Sequence, residues 1–418
     1  MIKNFQLTNN FKIMKQTKGY YMKKHILYLT VAIAPALYSQ YSIAESVVGA
    51  NQDIKINNKA GLAVNSGDFY FRVNGRLMLD FATWNDAAFS GVDGESGSGS
   101  EIRRARIYLK GKYKDWQYRF QTDFAENKTA NKSSYIKYAG FDKVDLYIGK
   151  HSEPFGFENL NSSKYISPIE RSASNTNFAG ARELGVSIAG KGESYGYQVG
   201  VYDIDSTSTD NNFAVTGRLT TSPINSDGKV LHLEASFSIR QLDESSAFSV
   251  KNRAGVHSTG VKSIISEEFF AEDNTVYDLA LSYTHNQWNI VGEYVSADLT
   301  GVTSADDRKF SNYYVQTGFF LTDDQRAYNV ASGTFSGVNP SLTSGAWEVF
   351  ARFEDIDLND QNRGTDAEIL TLGVNWFATK YTRVSLNYVT SDVDYASLTN
   401  NGNSIDGSAI NMRAQFHF

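Results

Sequence analysis

Over most of the chain, apolar and polar residues alternate one by one in runs bounded by Gly, Asn, Asp and Ser. A period of two gives a strand one greasy and one polar face. In 69–81 the odd positions are Phe69, Phe71, Val73, Gly75, Leu77, Leu79 and Phe81, and the even ones include Tyr70, Arg72, Asn74, Arg76 and Asp80. The same split separates Trp116, Tyr118, Phe120 and Phe124 from Gln117, Arg119, Gln121 and Asp123. It also separates Leu231, Leu233, Ala235, Phe237 and Ile239 from His232, Glu234, Ser236, Ser238 and Arg240. After residue 44 no apolar run is long enough for a membrane-spanning helix, so any crossing must be made by strands.

A soluble sandwich and a transmembrane barrel both use such strands, and two details favour the barrel. Aromatic residues tip the apolar faces at Trp116 and Phe124, Tyr195, Trp288 and Tyr294, and Trp347 and Phe353, as interfacial girdles require. The chain also closes on a strand, Ala409 to Phe418, with Met412, Ala414, Phe416 and Phe418 on one face and Asn411, Arg413, Gln415 and His417 on the other. A terminal Phe closing such a strand resembles the assembly signal of bacterial outer-membrane barrels. The predicted fold is all-β, a sixteen-stranded antiparallel transmembrane β-barrel. Its strands lie near 68–82, 101–111, 115–124, 133–140, 144–150, 182–190, 194–203, 213–220, 230–240, 275–285, 287–297, 310–321, 345–356, 367–377, 381–391 and 408–418. With both termini periplasmic, tight turns fall at 112–114, 141–143 and Asn286, and 322–344 is a long link where a short one is expected. A barrel of this size encloses water rather than a packed core.

The amino terminus sets the compartment. Met22-Lys23-Lys24-His25 precedes the apolar run Ile26 to Leu37, and Ser42-Ile43-Ala44 suits a signal peptidase cut after Ala44. Met14 and Met22 offer alternative starts. The domain reading is a signal peptide over 1–44, a short periplasmic segment over 45–66 and a barrel over 67–418, placed in the bacterial outer membrane with the lipid bilayer as its surroundings. With no cysteine in the chain, thiol catalysis and cysteine-ligated metal are excluded.

Charge then separates the walls. Residues 1–44 hold six lysines and no acid, so the remaining chain has 40 − 6 = 34 basic against 46 acidic residues, a formal charge of −12 that argues against nucleic acid as a partner. Residues 45–182 carry 19 basic and 16 acidic residues (+3), whereas 183–418 carry 15 and 30 (−15). The early basic residues cluster in the stretch 100–124. A nucleic-acid patch or a basic helix would explain the cluster as well, but an Arg facing hydrocarbon at the midplane costs about 2–4 kcal/mol, whereas one in a wet lumen costs little. Because Ile107 and Leu109 face lipid, Arg104, Arg106, Tyr108 and Lys110 face the pore, joined by Arg72, Arg76, Arg119 and Lys137 from neighbouring strands. Arg103 falls on the opposite face, at headgroup level. Rings of Arg and Lys select anions, and the guanidinium fork matches phosphate oxygens. Asp80, Asp123 and Asp145 lie close enough in sequence to weaken such a wall.

The longest early connection, between Lys150 and Arg182, carries Gly149-Lys150, Glu153-Pro154-Phe155, Ser162-Ser163-Lys164-Tyr165 and Glu170-Arg171-Ser172. These residues resemble the third-loop region of the phosphate-selective porins of the O and P type. Further likeness lies in 313–322, Arg326-Ala327-Tyr328, 345–360, Gly373-Val374-Asn375-Trp376 and the closing strand. The resemblance implies a homotrimer whose third loop folds inward to narrow each pore, with Ser162, Ser163 and Lys164 in that loop and Lys150 and Arg171 at its ends. Lys150, Arg182 and Arg218 complete the candidate path for inorganic phosphate or other small anions. The sequence departs from the family's dense basic ladder after 182, where only Lys191, Arg218, Lys229 and Arg240 precede Lys251, and general diffusion of small solutes is the alternative.

Enzymatic and cofactor readings find little support. There is no Gly-x-Ser-x-Gly elbow, and His232 beside Glu234 and Ser236 on a polar face reads as lumenal lining. Asp355-x-Asp357-x-Asn359 opens like a calcium loop, but Asp360 and Asp366 stand where the Gly and the bidentate Glu belong. Residues 91–100 lack the Lys of a phosphate-binding P-loop. No catalytic residue, metal or cofactor is expected.

Overall fold

The computed structural model describes residues 55–57, 61–173, 178, 180–204 and 212–418, and the expected signal segment and its cleavage site lie outside them. The barrel strands are β1 Phe69–Asn85, β2 Ser96–Tyr113, β3 Trp116–Asp123, β4 Ala130–Tyr138, β5 Val144–Ser152, β6 Arg182–Lys191, β7 Tyr195–Asp203 and β8 Phe213–Ser226. They continue as β9 Lys229–Gln241, β10 Phe269–His285, β11 Trp288–Gly301, β12 Arg308–Phe320, β13 Ala346–Asp357, β14 Thr365–Thr379, β15 Thr382–Tyr395 and β16 Ser404–His417. Each pairs antiparallel with the next, and β16 returns to β1 to close the sheet. Every alternating segment read from the sequence is one of these strands.

The pleat sorts the side chains as the alternation requires. Leu279 on β10 is 60% exposed on the outer face while its neighbour Asp278 is 1% exposed inside. On β9 Leu233, Phe237 and Ile239 point outward, and His232, Glu234, Ser236 and Ser238 are buried in the interior. Aromatic pairs mark the turn end of the barrel, with Trp116 against Tyr138 at 4.7 Å, Trp288 against Phe319 at 4.6 Å and Trp347 against Trp376 at 5.8 Å between ring centres. Amphipathic rings at one level suit a membrane–water boundary.

Closure rests on the last residue. Phe418 N donates to Gly75 O at 3.0 Å and Gly75 N donates to Phe418 O at 3.1 Å. The Phe418 ring lies over Gly75, where a Cβ would come within 2.5 Å of it, so a side chain at this crossing would displace the ring. Below the end of β16, the free edge of β1 is taken by a short strand, Leu62–Ser66, itself paired with Lys55–Asn57. Part of the segment expected to be a separate periplasmic stretch therefore extends the sheet.

Three features depart from an empty cylinder. First, β2 carries a bulge: Met78 pairs with Arg104 and Leu79 with Ile102, leaving Arg103 as the extra residue. The bulge turns Arg103 inward, where it pairs with Glu170, correcting its expected headgroup position. Second, an apolar cluster fills part of the interior, made of Val250, Val256 and Ile264 from the β9–β10 connection with Phe269, Val295, Phe310, Ile356, Ile369 and Val393 from the wall. That connection spans the opening, with His257 on Glu101 of β2 and Ile265 N donating to Thr365 Oγ1 of β14. Third, the long link 321–345 folds inward. Its small hairpin, Tyr328–Asn329 with Thr334–Phe335, places the Tyr328 hydroxyl 2.7 Å from His232 Nδ1, and Phe335 N donates to Asn161 Oδ1 at 2.7 Å. The interior is thus partly packed, because two long connections carry apolar residues into it.

If the outer apolar face meets hydrocarbon, Leu279→Arg should lower the stability of the folded barrel in lipid vesicles by about 2–4 kcal/mol. Urea titration of folding measures this, and an unchanged transition would place that face outside the membrane.

Candidate functional site

The first three strands stack their inward residues in rows. Arg72 pairs in register with Lys110 and Lys110 with Arg119; Asn74 with Tyr108 and Tyr108 with Gln121; Arg76 with Arg106 and Arg106 with Asp123. Arg104 heads the column opposite Met78. Within a row the strands are about 4.8 Å apart, and successive rows are about 7 Å apart, two residues of strand rise. Tyr108 sits between two guanidiniums, Arg76 at 5.7 Å and Arg119 at 5.5 Å from its ring centre.

The connection between β5 and β6, loop 3, folds in against this wall. Three of its carboxylates meet arginines that project from the barrel. Glu153 pairs with Arg240 at 2.7 Å, Glu158 with Arg352, and Glu170 with Arg103 at 2.8 Å and Arg413 at 2.6 Å. Arg171 braces the loop internally by donating to the carbonyls of Glu158, Asn159 and Asn161 at 3.0, 3.2 and 2.7 Å. Arg76 reaches Ser163 Oγ at 3.1 Å and Ser162 Oγ at 3.4 Å, and Gln415 donates to Lys164 O at 3.3 Å.

Between loop 3 and strands β1–β3 lies a cavity of about 500 Å³. Its lining holds nine basic residues, Arg72, Arg76, Arg104, Arg106, Lys110, Arg119, Lys164, Arg171 and Arg182, and no Asp or Glu side chain. Of the nearby acids, Asp80 is committed to Arg413 at 2.6 Å and Asp145 to Lys137 at 2.6 Å, both outside the lining, while Asp123 pairs with Arg106 of the lining at 2.5 Å. Among the described residues no ion pair engages Arg76, Arg104, Lys110, Arg119, Lys164 or Arg182. Burial, and then the charges of Arg76, Lys110, Arg119 and Arg72, push the Lys164 amino group down to about 7. Crowded cations of this kind lower their mutual repulsion by attracting an anion or by losing a proton.

The structure thus brings together seven of the ten expected path residues on one surface, Arg72, Arg76, Arg104, Arg106, Lys110, Arg119 and Arg182, with the loop residues Ser162, Ser163, Lys164 and Arg171 opposite. Three others lie apart. Lys137 and Arg218 border a second cavity of about 590 Å³, where Lys137 is held by Asp145. Arg218 there is spent on Glu234 at 2.5 Å and on the carbonyls of Ser332 and Gly333 at 2.7 and 2.9 Å, so it anchors the inward hairpin. Lys150 is in register with Leu184, which is 54% exposed on the outer face, and its amino group stands 3.9 Å from Glu183. The pleat, not loop 3, sets its direction.

The alternation alone puts Arg103 on the outer face, because a bulge leaves no mark in it. Arg326, Arg352 and Arg383 also enter the interior, and the last two stand on inward positions of β13 and β15. Glu101, Glu126 and His257 bring ligand atoms within 4.8 Å of one another, but His257 Nδ1 is used in a 2.8 Å hydrogen bond to Glu101. The acidic stretch after β13 closes on itself, with Asn359 Nδ2 donating to Asp366 Oδ2 at 2.8 Å.

Residues 71–418 match the family model of the phosphate-selective porin O and P. Porin O of Pseudomonas aeruginosa is 28% identical over 95% of this chain and the whole of that protein. In fold, the barrel is similar to OmpT of Vibrio cholerae, with a TM-score of 0.56 at 12% identity over 85% of this chain and 99% of that one. It is also similar to the anion-selective porin from Comamonas acidovorans, with a TM-score of 0.50 at 13% identity over 83% of this chain and the whole of that one. The match runs through the basic wall, loop 3 and the closing strand alike, and the chain therefore belongs to the phosphate-selective porin O and P family and is a porin of the bacterial outer membrane.

Proposed function

We propose that this porin passes small anions in preference to cations, that inorganic phosphate or a related oxyanion is the solute it serves, and that it works as a homotrimer. The observation that carries the reading is the cavity lined by nine basic residues and no acidic side chain. Its rows repeat about every 7 Å. That is shorter than the screening length of about 8–10 Å at physiological salt. The field of one row therefore overlaps the next, and an anion meets a continuous gradient rather than isolated sites. A narrow, low-dielectric passage lined by one sign of charge concentrates the opposite ion. Phosphate gains more than chloride, since arginine forks match its oxygens and the Ser162 and Ser163 hydroxyls stand at the Arg76 guanidinium. Membership of the phosphate-selective porin O and P family supports the solute class, and the likeness in fold to OmpT of Vibrio cholerae in its trimer form supports the trimer.

Replacing Arg104, Arg106 and Arg119 together by Gln should move the reversal potential in a chloride gradient toward cations while strand content is unchanged, and phosphate should block chloride current less. A wild-type pore that is cation-selective or indifferent to phosphate would leave only the general-diffusion reading.

Lys164 adds a pH signature. Its pKa is lowered to about 7, so it is charged below that pH and neutral above it. Anion preference should fall as the pH rises through about 7, and Lys164→Met should flatten that profile at its high-pH level. Reversal potentials across this range that do not respond to the substitution would remove Lys164 from the path.

A further inference from the structure

The outer end of the basic wall carries a guanidinium that the cavity does not use. The bulge in β2 turns Arg103 inward beside Arg104, and Glu170 of loop 3 takes it at two points, Nε to Oε1 at 2.9 Å and Nη2 to Oε2 at 2.8 Å. Glu170 also accepts from Arg413 Nη2 at 2.6 Å, and Arg413 in turn grips Asp80 at 2.7 and 2.6 Å. Two arginines and two carboxylates make a knot of zero net charge. Arg413 is wholly enclosed, but the side chains of Arg103 and Glu170 keep 16% and 15% of their surface exposed, and their chain neighbours Arg104 and Arg171 line the cavity.

Loop 3 is held at several points besides Glu170. The preceding carbonyl, Ile169 O, accepts from Arg413 Nη1 at 2.5 Å, Arg383 Nη1 donates to Ile166 O at 2.6 Å, and Arg171 bonds three carbonyls of the loop. What Glu170 alone supplies is the charge that cancels Arg103. A channel must bind its solute strongly enough to admit it and weakly enough to release it. We infer that Glu170 is a specificity-setting residue of this pore: by neutralising Arg103 it ends the basic ladder at Arg104 and limits how strongly an oxyanion is retained. The inference rests on the anion-path reading above and deepens it.

The test uses the folded porin in planar bilayers with inorganic phosphate as the probe. Glu170→Gln keeps the shape and removes the charge. It should lower the phosphate concentration that halves the chloride current by about fivefold, the effect of one added charge at short range in a watery medium, and shift the reversal potential further toward anions. Glu170→Asp keeps the charge and should restore wild-type retention. The double variant Arg103→Gln/Glu170→Gln removes both charges and should also return to the wild-type value. If Glu170→Gln does not assemble, Arg103→Gln carries the test with the opposite sign, since it leaves Glu170 in excess and should weaken phosphate block. A folded Glu170→Gln pore with unchanged or weaker block overturns the inference, as does a double variant that stays at the Glu170→Gln value. Raised conductance with loss of block also overturns it, by showing that Glu170 holds the loop. A wild-type pore without anion preference or phosphate block would instead sink the anion-path reading itself.

Discussion

A guanidinium taken out of water must find an acceptor, whether carboxylate, carbonyl or hydroxyl, and this requirement organises the inside of the barrel. Arg352 and Arg413 are almost wholly enclosed; Arg352 is held by Glu158 of loop 3, and Arg413 by Asp80 of β1 at two points with Glu170 of loop 3 as a further acceptor. Breaking such a buried pair from one side costs about 3–5 kcal/mol, because the remaining charge is left without a partner. A third pair, Glu153 with Arg240, fixes the start of the loop. An inward course is thus the arrangement in which all three acids are matched, and the cavity follows from it.

The same pairing sorts charge across the lumen. Loop 3 turns its carboxylates to Arg240, Arg352, Arg413 and the bulged Arg103, and presents Ser162, Ser163, Lys164 and Arg171 to strands β1–β3. On one side acids and bases cancel. On the other, basic residues accumulate with few partners. The link 321–345 reinforces the division: Arg326 binds Glu348 at 2.6 Å and Ser167 Oγ of loop 3 at 3.0 Å, while Arg218 is drawn onto the hairpin carbonyls. The excess of basic residues before 182 and of acids after it is the sequence trace of this division.

Much of this could be read from residue order alone, because a two-residue period is local. Which face Leu233 or Ser238 takes depends on the pleat, and the pleat does not depend on partners far away. The inward direction of Arg72, Arg104 and Lys110 follows from the same rule. Features that depend on tertiary contact were not legible. The extra residue at Arg103 shows only in the pairing of β1 with β2, since Met78 and Leu79 choose Arg104 and Ile102 as partners. The reversal of Lys150 depends on its register with Leu184. The unusual length of the 321–345 link is visible in the sequence, but its course is not, because the bonds of Phe335 to Asn161 and of Tyr328 to His232 join residues far apart in the chain. The apolar filling of the interior arises in the same way, from residues on two long connections that have no periodicity to announce them.

The partial filling has a consequence for how the wall acts. In a wide lumen full of water, a cation on the wall would be screened within about 8–10 Å and most solute would pass beyond its reach. Loop 3 from one end and the 321–345 hairpin from the other remove that central water, and they meet at the bond from Phe335 N to Asn161 Oδ1. The remaining space near β1–β3 is about 500 Å³ and is bounded by the basic rows themselves. A solute there cannot keep a screening length away from them. Packing and charge are therefore one device: the pairs at Glu153 and Glu158 and the arginine bonds to loop carbonyls fix the loop, the loop fills the centre of the lumen, and the filling gives the basic residues that line the cavity their reach.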